Sequence, residues 1–245
     1  SQLSKTLLLN NGFDSDALQV VGPTDTSKGL YAVYKGQSSK QPVIVMAHID
    51  VVPAVKDAWD TNPFQLVEID GFLHGRGASD NKGGAAALLT TFIRLKEEGF
   101  TPKNDIIMLL TGDEETGMNS IRYFRDNFKS VRRAPFAFNS DGGYITGTMK
   151  NPEAFRLQSA EKVYMTVTMT TSNRGGHSSI PRPDNAIYEL ADAIKKVEAY
   201  KFPISLNETT RATLEFALNQ DQGNVRREII ALLDGETESE FDMVN

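Results

Sequence analysis

Apolar residues in this chain come in short runs, and several of the runs end at a segment rich in acidic, histidine or glycine residues. Residues 30–34, 43–46, 71–73, 106–110 and 136–138 are runs of this kind. Runs of this length are typical of strands that are buried in a mainly parallel sheet. The pattern therefore predicts a central sheet, with residues 106–110 as its central strand.

Two segments between the predicted strands have the spacing of amphipathic helices. From Gly83 onward apolar side chains repeat at helical intervals, and Gly99 stands where a helix C-cap belongs; the apolar positions are Ala85, Leu88, Leu89, Phe92 and Leu95. A second helix is expected over residues 118–128, and the side chains expected on one of its faces are Ile121, Phe124, Arg125 and Phe128. Strands that alternate with helices in this way predict an α/β layer fold.

The pattern changes near residue 160, so we expect a first domain at residues 1–158 and a smaller one at residues 159–245. Residues 163–170 alternate strictly between apolar and polar, which predicts a half-exposed strand of an antiparallel sheet. A helix is expected next, with Asp184 as its N-cap and a buried stripe of Ile187, Leu190, Ala191, Ile194 and Val197. The acidic segment 234–245 is expected to fray.

The polar segments that follow apolar runs are residues 47–50, 77–82, 112–115 and 139–141. In open sheets of parallel strands, sites form beyond the carboxyl ends of the strands. These segments are far apart in sequence, yet they could meet at one such edge. Their side chains are imidazole and carboxylate, which are the ligands of a hydrolytic metal centre.

Composition narrows the choice of function. A net charge of −6 argues against a nucleic-acid or anionic-membrane partner, and the absence of cysteine excludes disulfides, thiolate metal sites and cysteine nucleophiles. No apolar stretch approaches the ~18–20 residues that a membrane span needs. The chain begins at Ser1 without a recognisable leader, so the compartment stays open between cytoplasmic and exported.

The segment with His48 and Asp50 could supply a metal ligand and the carboxylate that orients it. Residues two apart on a strand point the same way, and a metal-bound imidazole usually donates its other N–H to a carboxylate. Taken alone, the motif fits a buried structural histidine as well. Asp80 lies in a glycine-rich turn before a helix, whose N-terminus would favour its charge, although a plain turn is the alternative.

Glu114 and Glu115 are adjacent carboxylates, which repel each other unless a positive charge is near. One could bind a metal while the other acts as general base toward water, or both could belong to an acidic surface turn. Asp141 is an ordinary turn residue until it is placed with the others. His177 lies in a loop of small residues, where it could steady negative charge on a substrate or simply be exposed. We interpret His74 as structural.

In combination these segments resemble the M20 family of zinc-dependent peptidases and amidohydrolases. The matching segments run in the family's order from about residue 30 to residue 200: they are residues 48–54, Trp59 with 62–64, 70–84, 111–117, 139–143 and 175–181. The resemblance implies an α/β zinc-peptidase-like domain with a mostly parallel central sheet flanked by helices, followed by part of a smaller α+β lid and dimerisation domain.

The resemblance also implies a role for each site residue. His48, Asp80 and Asp141 would hold one zinc, and Asp80 would bridge to a second zinc that Glu115 also holds. Asp50 would orient His48, and Glu114 would be the general base. His177 would approach the substrate oxyanion, across the subunit interface in dimeric members. The family carries a cis peptide bond at the position of Asp80–Asn81.

Two departures from the family pattern matter. The family completes the Glu115 metal position with a histidine near its C-terminus, and this chain has no histidine after His177. The helix that usually precedes the first strands is also not evident. We therefore expect a piece of a longer enzyme, or a naturally short relative, that binds its two zinc ions incompletely and has little activity.

The resulting prediction is a metallohydrolase that cleaves a peptide or N-acyl amide bond next to a free carboxylate. The segments 51–53 and 177–179 favour the carboxypeptidase branch by resemblance, and a dipeptidase stays open. The alternative from another class is a non-catalytic binding or dimerisation module. The expected partners are a small peptide or N-acyl amino acid and, through the lid domain, a second copy of the chain.

Overall fold

The computed structural model describes residues 1–148, 150–220 and 225–235. The chain forms two compact units, Ser1–Leu157 and Gln158–Asn245. Most of the segment expected to fray, residues 236–245, lies outside the described residues. Among the helices that the structure describes, none has the length and apolar character that a membrane crossing needs.

The first unit consists of strands interleaved with helices. In chain order its elements are α1 (Gln2–Asn10), β1 (Leu18–Val21), β2 (Gly29–Tyr34), β3 (Ser38–His48), β4 (Val67–Ile69), β5 (Phe72–His74), α2 (Gly84–Glu97), β6 (Asn104–Thr111), α3 (Asn119–Asn127), α4 (Lys129–Arg133), β7 (Phe136–Asn139), β8 (Tyr144–Gly147) and β9 (Pro152–Arg156). A short irregular helical turn, Ala78–Gly83, precedes α2.

Five strands form the main sheet in the order β1-β2-β6-β3-β7. The predicted α/β class is confirmed, and the sheet is mixed. The strands β6, β3 and β7 are parallel to one another, whereas β1 and β2 join antiparallel on the β6 side. The predicted strands 43–46, 106–110 and 136–138 all lie within the parallel part, and residues 106–110 form the central strand as expected.

The core lies on both faces of the sheet, which explains why residues 106–110 of β6 are all apolar. Met108 and Leu110 pack with residues of α1 and α2 on one face, whereas Ile107 and Leu109 pack with Phe124 of α3 on the other. All five side chains are almost completely buried. A strand covered on both faces by helices has no polar side to display.

Both predicted helices of the first unit are present. Ala85, Leu89 and Phe92 of α2 are buried, and Gly99 ends the helix with a left-handed φ of 69°. In α3, Phe124 is fully buried, but Arg125, expected on the same face, is exposed and pairs with Asp126. A charged guanidinium gains more from water and an ion pair than from the core.

The expectation that no helix precedes the first strands was wrong, because α1 lies before β1. Its one fully buried apolar side chain is Leu8, and Leu3, Leu7 and Leu9 are exposed. Such a helix has no clear apolar stripe, so its sequence gives little signal.

The second unit contains α5 (Ala186–Ala199), α6 (Glu208–Gln220) and α7 (Val225–Asp234). The predicted strand at residues 163–170 was wrong. In the described part of this unit no strand is present, and Val163 and Met165 are 95% and 83% exposed. Alternation tells which side chains would share a face, but a strand also needs a neighbouring backbone to pair with.

The helix predicted after residue 184 is α5, with two corrections. Its N-cap is Asn185, whose side chain accepts the N–H of Ile187 at 2.9 Å, while Asp184 forms an ion pair with Arg182. The stripe expected to be buried is not: Ile187 and Val197 are 74% and 58% exposed, Leu190 is half-buried, and no residue of α5 is buried.

Candidate metal centre

The loops that carry the predicted site residues leave the same edge of the sheet. His48 ends β3 and is in register with Thr111, which ends β6. One strand further, Met46 is in register with Asn139, which ends β7. The segments with Glu114, Glu115 and Asp141 therefore begin side by side, next to His48.

Asp80 reaches this edge from the turn Ala78–Gly83 before α2. Gly77 enters the turn with a left-handed φ of 84°, and a Cβ there would lie only 2.5 Å from Val51. The peptide bond Asp80–Asn81 is cis, as the resemblance predicts. Asn81 is buried, and its side-chain amide donates to Ser140 Oγ at 3.3 Å, so the Asp80 turn is tied to the segment that carries Asp141.

The His48 imidazole is 2% exposed and faces carboxylates with one nitrogen. Its Nε2 lies 2.7 Å from Asp80 Oδ1 and 3.5 Å from Asp141 Oδ1. Its Nδ1 lies 3.1 Å from the main-chain oxygen of Asp50. Because a carbonyl oxygen can only accept a hydrogen bond, Nδ1 carries the hydrogen. The Nε2 lone pair of a neutral ring would then face two carboxylates, so a proton or a metal cation is needed between them.

The carboxylate of Asp50 binds the Glu114–Glu115 turn, and its predicted role in orienting His48 stays a prediction. Its two carboxylate oxygens accept the main-chain N–H groups of Glu114 and Glu115, each at 3.0 Å. The same carboxylate lies 3.4 Å from His48 Nδ1, further than the main-chain oxygen of Asp50. The side chain of Asp50 thus holds the Glu114–Glu115 turn against the end of β3.

The predicted ligands come together in two overlapping groups that could each hold a metal ion. One group is His48, Glu114 and Asp141, the other is His48, Asp80 and Glu115, and within each group the ligand atoms lie within 4.8 Å of one another. These groups differ in detail from the predicted pairing, because Glu114 stands as close as the predicted ligands. Imidazole nitrogen with carboxylate oxygens is a donor set that suits divalent transition metals.

The electrostatics of the cluster favour a cation. Burial works to lower the pKa of His48, but the hydrogen bond with Asp80 and the charge of Asp141 outweigh it and raise that pKa above its ordinary value. Burial raises the pKa of Glu114, and the charges of Asp141, Glu115 and Asp50 add to the effect, against the opposing influence of His48. Several carboxylates in a partly buried space therefore compete for one positive group.

The two remaining histidines are not in either group of candidate metal ligands. His177 belongs to the second unit, is exposed, and its Nδ1 lies 2.8 Å from the hydroxyl of Ser179. Its predicted part in substrate binding stays a prediction. His74 ends the exposed strand β5, which pairs with β4.

Two buried residues next to the cluster, Asp113 and Ser120, are not among the predicted site residues. Asp113 accepts hydrogen bonds from the start of α3, where the N–H groups of Asn119 and Ser120 point at its carboxylate. A sequence signal was present, since an acidic residue shortly before a helix is favoured by the free N–H groups at its first turn. The adjacent pair of glutamates, Glu114 and Glu115, is the stronger signal in this segment.

The fold and the cluster together define a class, namely an α/β protein with a candidate divalent-metal centre of imidazole and carboxylates at the carboxyl edge of its parallel strands. Residues 44–225 match the model of Peptidase family M20/M25/M40. The chain belongs to this family, and the resemblance seen in the motifs is confirmed.

Similar proteins include several curated relatives. The chain is 32% identical over 190 residues to the N-fatty-acyl-amino acid synthase/hydrolase PM20D1 of Homo sapiens, a match that covers 76% of this chain and 38% of the relative. It is 34% identical over 154 residues to a probable succinyl-diaminopimelate desuccinylase of Staphylococcus aureus, covering 62% of this chain and 36% of the relative. The chain thus spans about a third of the length of these relatives.

The chain is also similar over part of its length to solved structures. Human carnosine dipeptidase 1 is 24% identical, with a TM-score of 0.49, and the match covers 59% of this chain and 32% of that one. The dipeptidase Dug1p of Saccharomyces cerevisiae is 23% identical, with a TM-score of 0.47, over 59% of this chain and 33% of the other.

Proposed function

We propose that this protein is a zinc-dependent hydrolase that cleaves a peptide or N-acyl amide bond next to a free carboxylate. One observation carries the proposal. The buried His48 directs Nε2 at the carboxylates of Asp80 and Asp141, and the Glu114–Glu115 turn reaches the same place. Membership of a peptidase family supports hydrolysis as the reaction class.

The proposed ligands are those that the motifs suggested. His48, Asp80 and Asp141 would hold one zinc ion, and Asp80 and Glu115 a second. When bound, zinc supplies Lewis acidity, which polarises a substrate carbonyl and lowers the pKa of a water molecule. Asp80 is the most exposed of the three contacts of His48, at 66%, so its oxygens have room for a second partner.

Glu114 is the proposed general base. Burial and the neighbouring carboxylates raise its pKa, which makes its carboxylate a better proton acceptor at neutral pH. The N–H of Glu114 is fixed to Asp50, so the side chain starts from a defined position. Glu114 would take a proton from the attacking water and return it to the leaving amine.

The names of two relatives support the proposed substrate class. One relative is named for N-fatty-acyl amino acids and another for the removal of a succinyl group from diaminopimelate. Both names describe an acyl group joined to an amino acid. We therefore propose an N-acyl amino acid or a small peptide as the substrate, without assigning its side chain.

The predicted rate of this chain is low. The sequence contains three histidines, and none follows His177, so the group that contains Glu115 has His48 as its one imidazole. Strong zinc-dependent hydrolysis of N-acyl amino acids by these 245 residues would refute this part of the proposal. Three further points stay predictions from the resemblance: the second unit acts as a lid, His177 contributes to substrate binding, and a homodimer forms through the second unit.

The proposed chemistry is tested by Glu114→Ala. Loss of a general base typically lowers turnover ~10²–10⁴-fold, so the variant should lose the zinc-dependent release of amino acid from N-acyl amino acids. Glu97→Ala, which removes an exposed carboxylate on α2, is the matched control and should keep wild-type turnover. Turnover of Glu114→Ala near the wild-type value would show that the base is misassigned.

A further inference from the structure

The turn that carries Glu114 and Glu115 rests on a buried polar pair, Asp113 and Ser120. Asp113 is 6% exposed and Ser120 is completely buried. The proposed chemistry uses neither side chain. A buried carboxylate is costly unless its oxygens are well satisfied, so its partners indicate what it is there to hold.

The side chains of Asp113 and Ser120 hold together the two ends of the loop between β6 and α3. Its Oδ2 accepts the N–H of Asn119 at 2.9 Å, and its Oδ1 accepts the N–H of Ser120 at 2.8 Å and the hydroxyl of Ser120. Ser120 Oγ in turn accepts the N–H of Gly112 at 3.2 Å. One side-chain pair therefore connects the residue before Asp113 with the first turn of α3.

The main chain of Asp113 adds to this closure. Its carbonyl oxygen accepts the N–H groups of Gly117 at 3.0 Å and Met118 at 2.8 Å. Across the turn, the Asp50 carboxylate accepts the N–H groups of Glu114 and Glu115. The loop that contains the two glutamates is thus held by two carboxylates: Asp50 accepts the N–H groups of Glu114 and Glu115, and Asp113 accepts those of Asn119 and Ser120, through charge-assisted hydrogen bonds.

We propose that Asp113 and Ser120 are positioning residues, which fix the main chain of Glu114 and Glu115 so that both side chains point into the metal centre. The consequence for metal binding rests on the proposed function, whereas the positioning itself requires no metal. The competing explanation is a helix cap, which would stabilise α3 without affecting the two glutamates.

Two variants and one control separate these explanations. Asp113→Asn keeps the shape of the side chain but removes one acceptor oxygen and the negative charge. Ser120→Ala removes the hydroxyl, and it provides the test if the Asp113→Asn protein does not fold. The control is Asp105→Asn at the other end of β6. Asp105 is also 6% exposed and accepts a main-chain N–H, that of Gly36, at 2.8 Å.

The first readout is amide hydrogen exchange of Glu114 and Glu115, measured by NMR on the metal-free proteins together with their thermal unfolding. Each variant should accelerate exchange at both amides at least about tenfold, because the loop that contains them loses a hydrogen bond to the charged Asp113. Asp105→Asn should leave these two amides at the wild-type rate even where it lowers stability as much. Unchanged exchange in both variants, or equal acceleration in the control, overturns the proposal.

The second readout is zinc affinity, measured by competition with a chromophoric chelator. Loss of a partner behind a metal ligand typically weakens binding 10–100-fold, and both variants should fall in this range relative to Asp105→Asn. If the wild type binds no zinc but the exchange effect is present, the positioning is supported and the proposed function fails. If zinc binds and exchange is unchanged in both variants, the positioning is overturned and the proposed function stands.

Discussion

At the scale of single residues, two of the candidate ligands, Asp80 and Asp141, have a chain neighbour that fixes their backbone. Asn81 follows Asp80 and donates to Ser140, which itself precedes Asp141. Ser140 also donates its main-chain N–H to Met46 O at 2.9 Å, which ties it to β3. The ligand side chains are left free to face one another because the residues beside them make the structural contacts.

The protonation of His48 is a residue-level prediction. An NMR titration of the metal-free protein should give a pKa above the ordinary 6.5, because the contacts with Asp80 and Asp141 outweigh the burial that lowers it. A pKa raised by folding stabilises the protein below pH 6.5, and this contribution is lost as the pH rises through the folded-state pKa. Asp80→Asn should lower the His48 pKa, and an unchanged value would contradict the proposed contact.

The residue types of the site could be predicted from the sequence, but their pairing could not. Five candidate residues follow apolar runs in the sequence: His48, Asp80, Glu114, Glu115 and Asp141. The parallel strands bring four of them to one edge of the sheet, whereas Asp80 reaches it from the turn before α2, and the run 71–73 that precedes Asp80 lies at the exposed strand β5, outside the main sheet. Which carboxylate lies nearest to His48 depends on the shape of the loops. That shape comes from long-range hydrogen bonds that no local pattern encodes.

At the scale of elements, the start of α2 controls how closely two of the loops approach. Gly84 is the first residue of this helix, and a Cβ there would lie too close to the side chains of Asn81 and Ser140. Both neighbours belong to segments that carry candidate ligands. The absence of a side chain at Gly84 thus lets the Asp80 turn meet the Asp141 segment.

Gly84→Ala should therefore weaken zinc binding and lower the melting temperature, although alanine favours helix over glycine by about 1 kcal/mol on propensity alone. Thermal unfolding and a zinc titration measure the two effects. Thr90→Ala, at an exposed position of the same helix, is the control and should leave zinc affinity unchanged. A Gly84→Ala protein that is more stable and binds zinc normally would contradict the close approach.

Elements whose periodic apolar face packs in the core were predicted well, and the others were not. The helix α2 and the strand β6 have apolar faces that pack in the core, so their patterns are clear. The helix α1 buries little beyond Leu8, and the segment 163–170 has the alternation of a strand without forming one. Periodicity reports which side chains could share a face, whereas packing partners decide whether the element forms.

At the scale of the whole molecule, the proposed ligands all lie in the first unit, Ser1–Leu157. They add local negative charge to a chain whose net charge is already −6. Metal binding would relieve this repulsion and would stabilise the fold that brings the ligands together, because the unfolded chain has no preformed site.

Zinc should therefore raise the melting temperature of the protein, and a chelator should reverse the change. A ligand at one hundred times its Kd stabilises the folded state by about 2.7 kcal/mol. For a protein of this size each kcal/mol corresponds to roughly 2–4 °C, so the expected shift is about 5–10 °C. Differential scanning calorimetry with zinc, and then with excess chelator, measures this shift. A melting temperature that does not respond to zinc would contradict the proposed metal centre.

A zinc titration of three proteins tests the proposed metal centre most directly: the wild type, His48→Ala and His74→Ala. His48 is buried among the candidate carboxylates, whereas His74 is exposed on β5 and serves as the matched control. We expect the wild type and His74→Ala to bind zinc with equal affinity, and His48→Ala to lose saturable binding. Equal binding by His48→Ala and the wild type would show that the metal centre is not where these residues meet.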